Sequence, residues 1–335
     1  MQNLKDRVTI YQVAQAAGVS LATVSRVINK SESVTPATRK KVQDTIDALG
    51  YKPSGLAQAL ATNRSTNIGV IIPSANYVYI ANMLSGITEV AKEKNYQLTL
   101  FTTSHSRDEA ISTIEKVITA HVDGTIIFDD QLSQDDVTKI ASYNVPSVVI
   151  DNKIQGDRVA DIRFSYDSAL EAIIKEYYSN GGENPMAFLH VHDAGRLLGR
   201  CEKIFLKTHE ELGKDYRIVN CRDSYTQTYQ QFLDYFKDPS NQRGFYVCYR
   251  DSIAAAVLNA ATDSGIKVPE QVEVLSLVAT KYAYIVRPTL TAMHIDMIDV
   301  GKRAMYMLTD LMNQDLVVKT ARVEAKLVPG QSTKK

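Results

Sequence analysis

The stretch Val8-Thr9-Ile10-Tyr11-Gln12-Val13-Ala14-Gln15-Ala16-Ala17-Gly18-Val19-Ser20-Leu21-Ala22-Thr23-Val24-Ser25-Arg26-Val27-Ile28-Asn29 decides how this chain begins to fold. Its spacing predicts two short helices joined by a glycine turn. Thr9 caps the first helix, and Gln12, three residues on, reaches back to complete a capping box. Gly18 permits the tight turn that follows. Ser20 is a good N-cap for a second helix, in which Val24, Val27 and Ile28 share one face at spacings of three and four. That face requires burial. The opposite face carries Leu21, Ala22, Ser25, Arg26 and Asn29, a set of little use for packing and well suited to probing base edges in a DNA major groove.

A third helix turns this pair into a domain. Thr35 caps it, Pro36 takes its first position, Val42, Ile46 and Leu49 form its apolar stripe, and Gly50 stops it. Any amphipathic helix pair with a glycine between looks like the opening stretch. Agreement over about 60 contiguous residues argues against chance.

The chain has 335 residues, of which 44% are hydrophobic, enough for two or three domains with sizeable cores. Its formal charge is zero, but the charge is unevenly spread. Residues 1 to 64 hold nine lysines and arginines against four acids, a net +5, which leaves −5 for the rest. A basic head on an acidic body is expected when only the head meets phosphates. Cys201, Cys221 and Cys248 are odd in number, far apart and without a CxxC, so neither a disulfide framework nor a zinc site is expected. No charged-then-apolar leader opens the chain and no apolar run approaches about 18 residues. The expectation is a cytoplasmic protein, neither exported nor membrane-spanning.

Three regions follow: 1-52, the helix-turn-helix head; 53-66, a hinge and linker; and 67-335, a body of two subdomains. In the hinge, Leu56 and Leu60 lie four apart with Ala57 and Ala61, an apolar edge that a solvated linker does not need, on a helix of about two turns, too short to persist alone. A plain linker is the alternative. In the body, strands are predicted at Ile68 to Ile72, Gln97 to Thr102, Thr125 to Phe128, Ser147 to Ile150, Met186 to Val191, Gly244 to Cys248 and Val272 to Leu277. Helices are predicted near residues 79 to 94, 108 to 120, 134 to 142, 167 to 180, 201 to 212, 226 to 237 and 252 to 265. Such alternation calls for α/β architecture with doubly wound parallel sheets. Two units with a cleft between them accommodate the strand number, and a ligand would sit outside the carboxyl ends of the strands.

The head resembles the LacI/GalR family of bacterial repressors. The resemblance rests on Thr9-Ile10-Tyr11-Gln12-Val13-Ala14, Gly18-Val19-Ser20, Ala22-Thr23-Val24-Ser25-Arg26-Val27, Thr38-Arg39-Lys40-Lys41-Val42, Leu49-Gly50-Tyr51-Lys52-Pro53 and Ile68-Gly69-Val70-Ile71-Ile72-Pro73. Val286 to Thr291 and Gln331-Ser332-Thr333-Lys334 extend it toward the catabolite control branch of the family. The resemblance implies a three-helix head plus hinge helix, a body of two periplasmic-binding-protein-type subdomains, a homodimer, and a palindromic double-stranded DNA operator.

It also implies roles for individual residues. Leu21, Ala22 and Arg26 would touch bases, while Thr9, Ser20, Thr23, Ser25 and Asn29 would hold phosphates or neighbouring edges, and Tyr51 would also belong to the DNA-binding set. Leu60, with Ser54 and Ala57 beside it, would wedge into the minor groove from a hinge helix that forms on DNA. Arg26 is the strongest specificity candidate on chemical grounds, because its fork pairs both acceptors of a guanine.

For the body, the resemblance implies an effector-binding arginine, Arg196 or Arg200, and an aspartate, Asp251, which serves equally as an N-cap for the next helix. His190 and His192 share one face of a strand end, either as metal ligands or as a polar cleft wall. In the catabolite control branch a helix matching Ile298 to Asp310 docks the serine-phosphorylated phosphocarrier protein HPr. Asp299 matches there, Tyr306 stands where an arginine for the phosphoserine belongs, and Lys302 or Arg303 are substitutes. Ser74 and Ser104 stand where acids would be expected. The partner is therefore phosphorylated HPr or, as a close rival, a sugar or sugar phosphate in the cleft. A solute-binding protein fits the body alone and leaves the head unexplained. An enzyme is not expected, since no Walker-type loop, nucleophile elbow or paired catalytic carboxylates occur, and no cofactor is expected.

Overall fold

A computed structural model describes residues 8–29, 31–52, 65–103, 107–120, 122–129, 132–154, 156–192, 195–315 and 318–334. The chain divides into two compact units, Met1–Thr66 and Asn67–Lys335.

In the first unit, helices α1 (Ile10–Ala17), α2 (Leu21–Ile28) and α3 (Pro36–Leu49) form as their caps dictate. Thr9 and Gln12 make the reciprocal capping box, Ser20 accepts from the Thr23 amide, and Thr35 caps α3 with Pro36 behind it. Gly18 and Gly50 both stop helices in the left-handed conformation, at φ 60° and 64°. Val13, Ala14, Ala17, Val24, Val27, Val42 and Ile46 fill the core. One core position differs from the sequence expectation. Leu49 is 39% exposed, and Tyr51, beyond the Gly50 turn, folds back onto the core instead, its amide bonded to the Ile46 carbonyl at 3.0 Å.

The second unit holds two six-stranded sheets. Sheet one has the order β11-β5-β4-β3-β1-β2, from Thr320–Glu324, Val159–Ser165, Ser147–Ile150, Gly124–Ile127, Asn67–Ile72 and Gln97–Thr102, and is parallel throughout. Sheet two has the order β12-β10-β9-β8-β6-β7, from Lys326–Val328, Thr291–His294, Val272–Ser276, Gly244–Cys248, Met186–Val191 and Tyr216–Cys221; only β12 is antiparallel. Helices α4 (Val78–Glu93), α5 (Arg107–Thr119), α6 (Gln134–Ser142) and α12 (Met297–Asn313) belong with sheet one. Helices α7 (Asp167–Ser179), α8 (Arg196–Leu212), α9 (Tyr225–Tyr235), α10 (Asp251–Asp263) and α11 (Lys281–Ile285) belong with sheet two.

The chain passes between these subdomains three times: from β5 to α7, from β10 to α12, and from β11 to β12. All seven predicted strands occur. β5, β7, β10, β11 and β12 were not predicted. In β5, Asp161 and Arg163 look like loop residues in sequence, yet they pair with each other at 2.5 Å and so sit in a strand at little cost. Helix α8 begins at Arg196, earlier than expected, because Gly195 turns the chain at φ 84°. The α4–α12 crossing is the tightest in the body. A Cβ on Gly86 would lie 2.0 Å from the Ile298 carbonyl oxygen, and one on Gly301 would lie 2.1 Å from that of Met83.

Candidate nucleic-acid interface and effector cleft

On the head, the packing of Val24 and Val27 turns the other side of α2 outward. Leu21 is 38% exposed, and Ala22, Arg26 and Asn29 are exposed with it, while Thr23 and Ser25 are half-buried. Arg26 makes no ion pair among the described residues, so its five donors are available. The hydroxyls are less free. Ser20 Oγ accepts from the Thr23 amide at 3.1 Å and lies 2.8 Å from Thr23 Oγ1, and Asn29 Nδ2 donates to Ser25 Oγ at 3.5 Å. Thr9 is engaged with Gln12. Tyr51 is buried, its ring packs on the core, and that burial raises its phenol above the ordinary value. Ser54, Ala57 and Leu60 lie outside the described residues. Tyr11, 70% exposed on α1, is a further outward-facing side chain that the sequence reading did not single out. Its position off the Val13-Ala14-Ala17 stripe was the signal that it faces outward.

In the body, the carboxyl ends of both sheets meet in a cleft that is largely filled by the chain's own aromatic side chains. Tyr79 and Phe128 lie edge-on at 6.3 Å, and Phe128 and Phe164 follow at 6.4 Å. Only about 40 Å³ is open among them. Arg250 enters from the sheet-two side, pairs with Asp223, and stacks on Tyr77 at 4.1 Å and Tyr249 at 4.7 Å.

Two further arginines cross from α8 to the sheet-one subdomain. Arg196 Nη1 donates to the Leu132 carbonyl at 2.6 Å and to Asn152 Oδ1 at 3.2 Å. Arg200 Nη2 donates to Asp151 Oδ1 at 2.5 Å. Both candidate effector arginines therefore lie at the cleft, beside a second cavity of about 590 Å³.

Asp251 does not join them. It is 2% exposed, Arg250 is the N-cap of α10, and the Asp251 carboxylate accepts from the Thr280 amide at 2.6 Å and the Ala283 amide at 3.2 Å. The aspartate thus ties α10 to the start of α11, and burial raises its pKa despite those bonds. His190 bonds Glu202 at 2.8 Å through Nδ1 and meets His192 edge-on at 5.1 Å. Among the described residues no group of three metal-capable side chains gathers.

Residues 9–54 match the description "Bacterial regulatory proteins, lacI family", and residues 178–333 match "Periplasmic binding protein-like domain". Catabolite control protein A of Priestia megaterium is 30% identical over 318 residues, covering 92% of this chain and 94% of that protein. The chain belongs to the LacI family.

It is a DNA-binding transcriptional regulator of that family and not an enzyme. A second relative, the HTH-type transcriptional regulator pepR1 of Lactobacillus delbrueckii subsp. lactis, is 30% identical over 336 residues, covering 98% of each chain. The fold matches that of a Lac repressor dimer solved with operator and an anti-inducer, at a TM-score of 0.85, 22% identity and coverage of 98% of this chain and 100% of that one. No helix among the described residues is long and apolar enough to cross a membrane.

On this LacI-family body the α4–α12 pair presents the residues considered for corepressor docking. Lys302 Nζ lies 2.7 Å from Glu89, Arg303 Nε lies 2.5 Å from Asp299, and the Tyr306 hydroxyl donates to Glu93 at 2.9 Å. Lys94 pairs with Glu93 at 3.0 Å and stands 5.6 Å from the centre of the Tyr306 ring. Each cation of this patch already faces a carboxylate. Ser74 accepts from the Asn76 amide at 3.2 Å, and Ser104 lies outside the described residues.

Proposed function

We propose that this regulator binds a palindromic operator as a homodimer and that a small ligand at the body's cleft sets its affinity for DNA. The outward face of α2, with Leu21, Ala22 and an unpaired Arg26, carries the DNA reading. Ser54, Ala57 and Leu60 in the 53–66 hinge supply the minor-groove wedge. The homodimer reading rests on α11, where Tyr282, Tyr284 and Ile285 are 38%, 50% and 63% exposed, an apolar face suited to a second copy.

The cleft reading is supported by Arg196 and Arg200, which bridge the subdomains from one helix and lie where a ligand would compete with their partners. The second reading is docking of serine-phosphorylated HPr at Asp299, Lys302, Arg303 and Tyr306. It draws on the similarity to catabolite control protein A and on the exposure of Arg303 and Tyr306. Exposed ion pairs such as Arg303–Asp299 are worth only about 0–1 kcal/mol, so a phosphoserine dianion can displace them.

Binding to a palindromic duplex, measured across salt concentration, tests the DNA reading. A steep linear fall of log K with log salt is expected, and a flat response would exclude it. Calorimetric titration with serine-phosphorylated HPr and with a panel of sugars and sugar phosphates separates the two effector readings.

A further inference from the structure

The 590 Å³ cavity beside the filled cleft has an unusual charge. Lys153, Arg163, Arg196, Arg200, Lys203 and Arg322 line it, against two carboxylates, Asp151 and Asp167. This concentration of positive charge stands on a body whose sequence carries a net −5. Cys201 also lines it and adds no charge, since burial pushes its thiol up to about 12.

The strand register sharpens the point. Arg163 on β5 and Arg322 on β11 are direct partners across neighbouring strands, a placement that destabilises a sheet unless the charge is compensated. Asp161 compensates Arg163. Arg322 and Lys203 have no carboxylate partner among the described residues. Arg200 is held by Asp151, whose backbone adopts the left-handed region at φ 58°.

We propose that this cavity binds a small multivalent anion, a phosphate ester or a polycarboxylate, held by Arg322, Lys203 and Arg163, which draws Arg200 away from Asp151. The cavity adjoins the aromatic-filled centre of the cleft, sharing Asp151, Phe164, Tyr166 and Leu197 with it, and is far roomier than that centre, where about 40 Å³ is open. A planar guanidinium pair with an ammonium beside it suits phosphate or carboxylate oxygens better than neutral hydroxyls. Because Arg200 and Asp151 belong to opposite subdomains, the anion changes how firmly the cleft is held. This regulation rests on the cleft reading above; occupancy of the site does not.

Titration calorimetry on the full chain, with inorganic pyrophosphate, glucose 6-phosphate, citrate and glucose as probes, tests the site. Saturable binding of at least one anion is expected, with no binding of glucose. Preference for the first two over citrate identifies a phosphate site, and the reverse a polycarboxylate site. Arg322→Gln and Lys203→Gln should each weaken binding about tenfold, the loss of one charge-assisted contact. Asp151→Asn should strengthen it severalfold by freeing Arg200. The melting transition of each variant without ligand establishes that it is folded. Glucose binding in place of the anions, no anion binding by folded protein, or anion binding indifferent to both cation substitutions overturns the site. Operator affinity read on the wild type at anion saturation tests the regulatory reading separately: anion binding with unchanged operator affinity upholds the site and removes only that reading.

Discussion

Arg250 lays its guanidinium 4.1 Å from the centre of the Tyr77 ring, joining the sheet-two subdomain to the sheet-one subdomain inside the cleft. The guanidinium is almost fully withdrawn from water, and Asp223 neutralises it. Stacking in such surroundings is worth about 0.5–2 kcal/mol. Tyr77→Leu keeps an apolar side chain and removes the ring face. Its unfolding free energy from urea titration should fall by that amount at unchanged slope, lowering the midpoint, and an unaltered midpoint would show that the stack holds nothing together.

Gly86 and Gly301 let α4 and α12 touch backbone to backbone. A methyl group at Gly301 meets a carbonyl oxygen that cannot rotate away, so Gly301→Ala should cost about 1–3 kcal/mol or more. Gly199 on α8 is the control, with nothing within 4 Å of its would-be Cβ. There the alanine should be neutral or stabilising by about 1 kcal/mol. Equal effects at the two positions in thermal or urea unfolding would contradict the close crossing.

His209 is buried, donates from Nδ1 to the Phe205 carbonyl at 2.7 Å, and leaves Nε2 without a partner. Burial lowers its pKa below 6.5. A histidine held neutral in the fold contributes no pH dependence while the unfolded chain is also neutral. Once pH falls through about 6.5 the unfolded state gains a proton that the fold refuses, and stability declines until the lower folded value is reached. Melting temperatures from pH 8 to pH 5 should drop less for His209→Phe than for the wild type. Parallel curves would assign the acid loss to other groups.

Leu60→Ala should reduce specific operator affinity far more than non-specific DNA binding, because a wedge acts only where the duplex is bent. Equal losses under fixed salt would remove the wedge role.

Arg26→Ala should flatten the preference at one base pair per half-site by about 1–3 kcal/mol. Competition among operators substituted at each position reads this directly, and intact discrimination everywhere would send the search to Leu21 and Tyr11.

The head was legible because its signals are local. Thr9 with Gln12, Ser20, and Thr35 with Pro36 each specify a helix start within four residues, and Gly18 and Gly50 each specify a stop. The exchange of Leu49 for Tyr51 in its core was not legible, since it depends on how far the chain doubles back after Gly50. In the body, strands of continuous aliphatic residues such as β1 and β4 declared themselves. β5 and β11 did not, because Asp161, Arg163 and Arg322 read as solvent-facing until the register sets them side by side. Asp251 read equally as an effector contact and as an N-cap; the fold turns the aspartate to backbone amides and the neighbouring Arg250 into the cleft.

The three passages of the chain between the subdomains have a mechanical consequence. One tether would leave the two halves free to swivel, slide and tilt. Three side by side behave like the pins of a door, resisting slide and swivel while leaving one angle soft. On the effector reading proposed above, a ligand in the body would therefore act on that one angle, and a signal written in it would have a magnitude and a sign and little else.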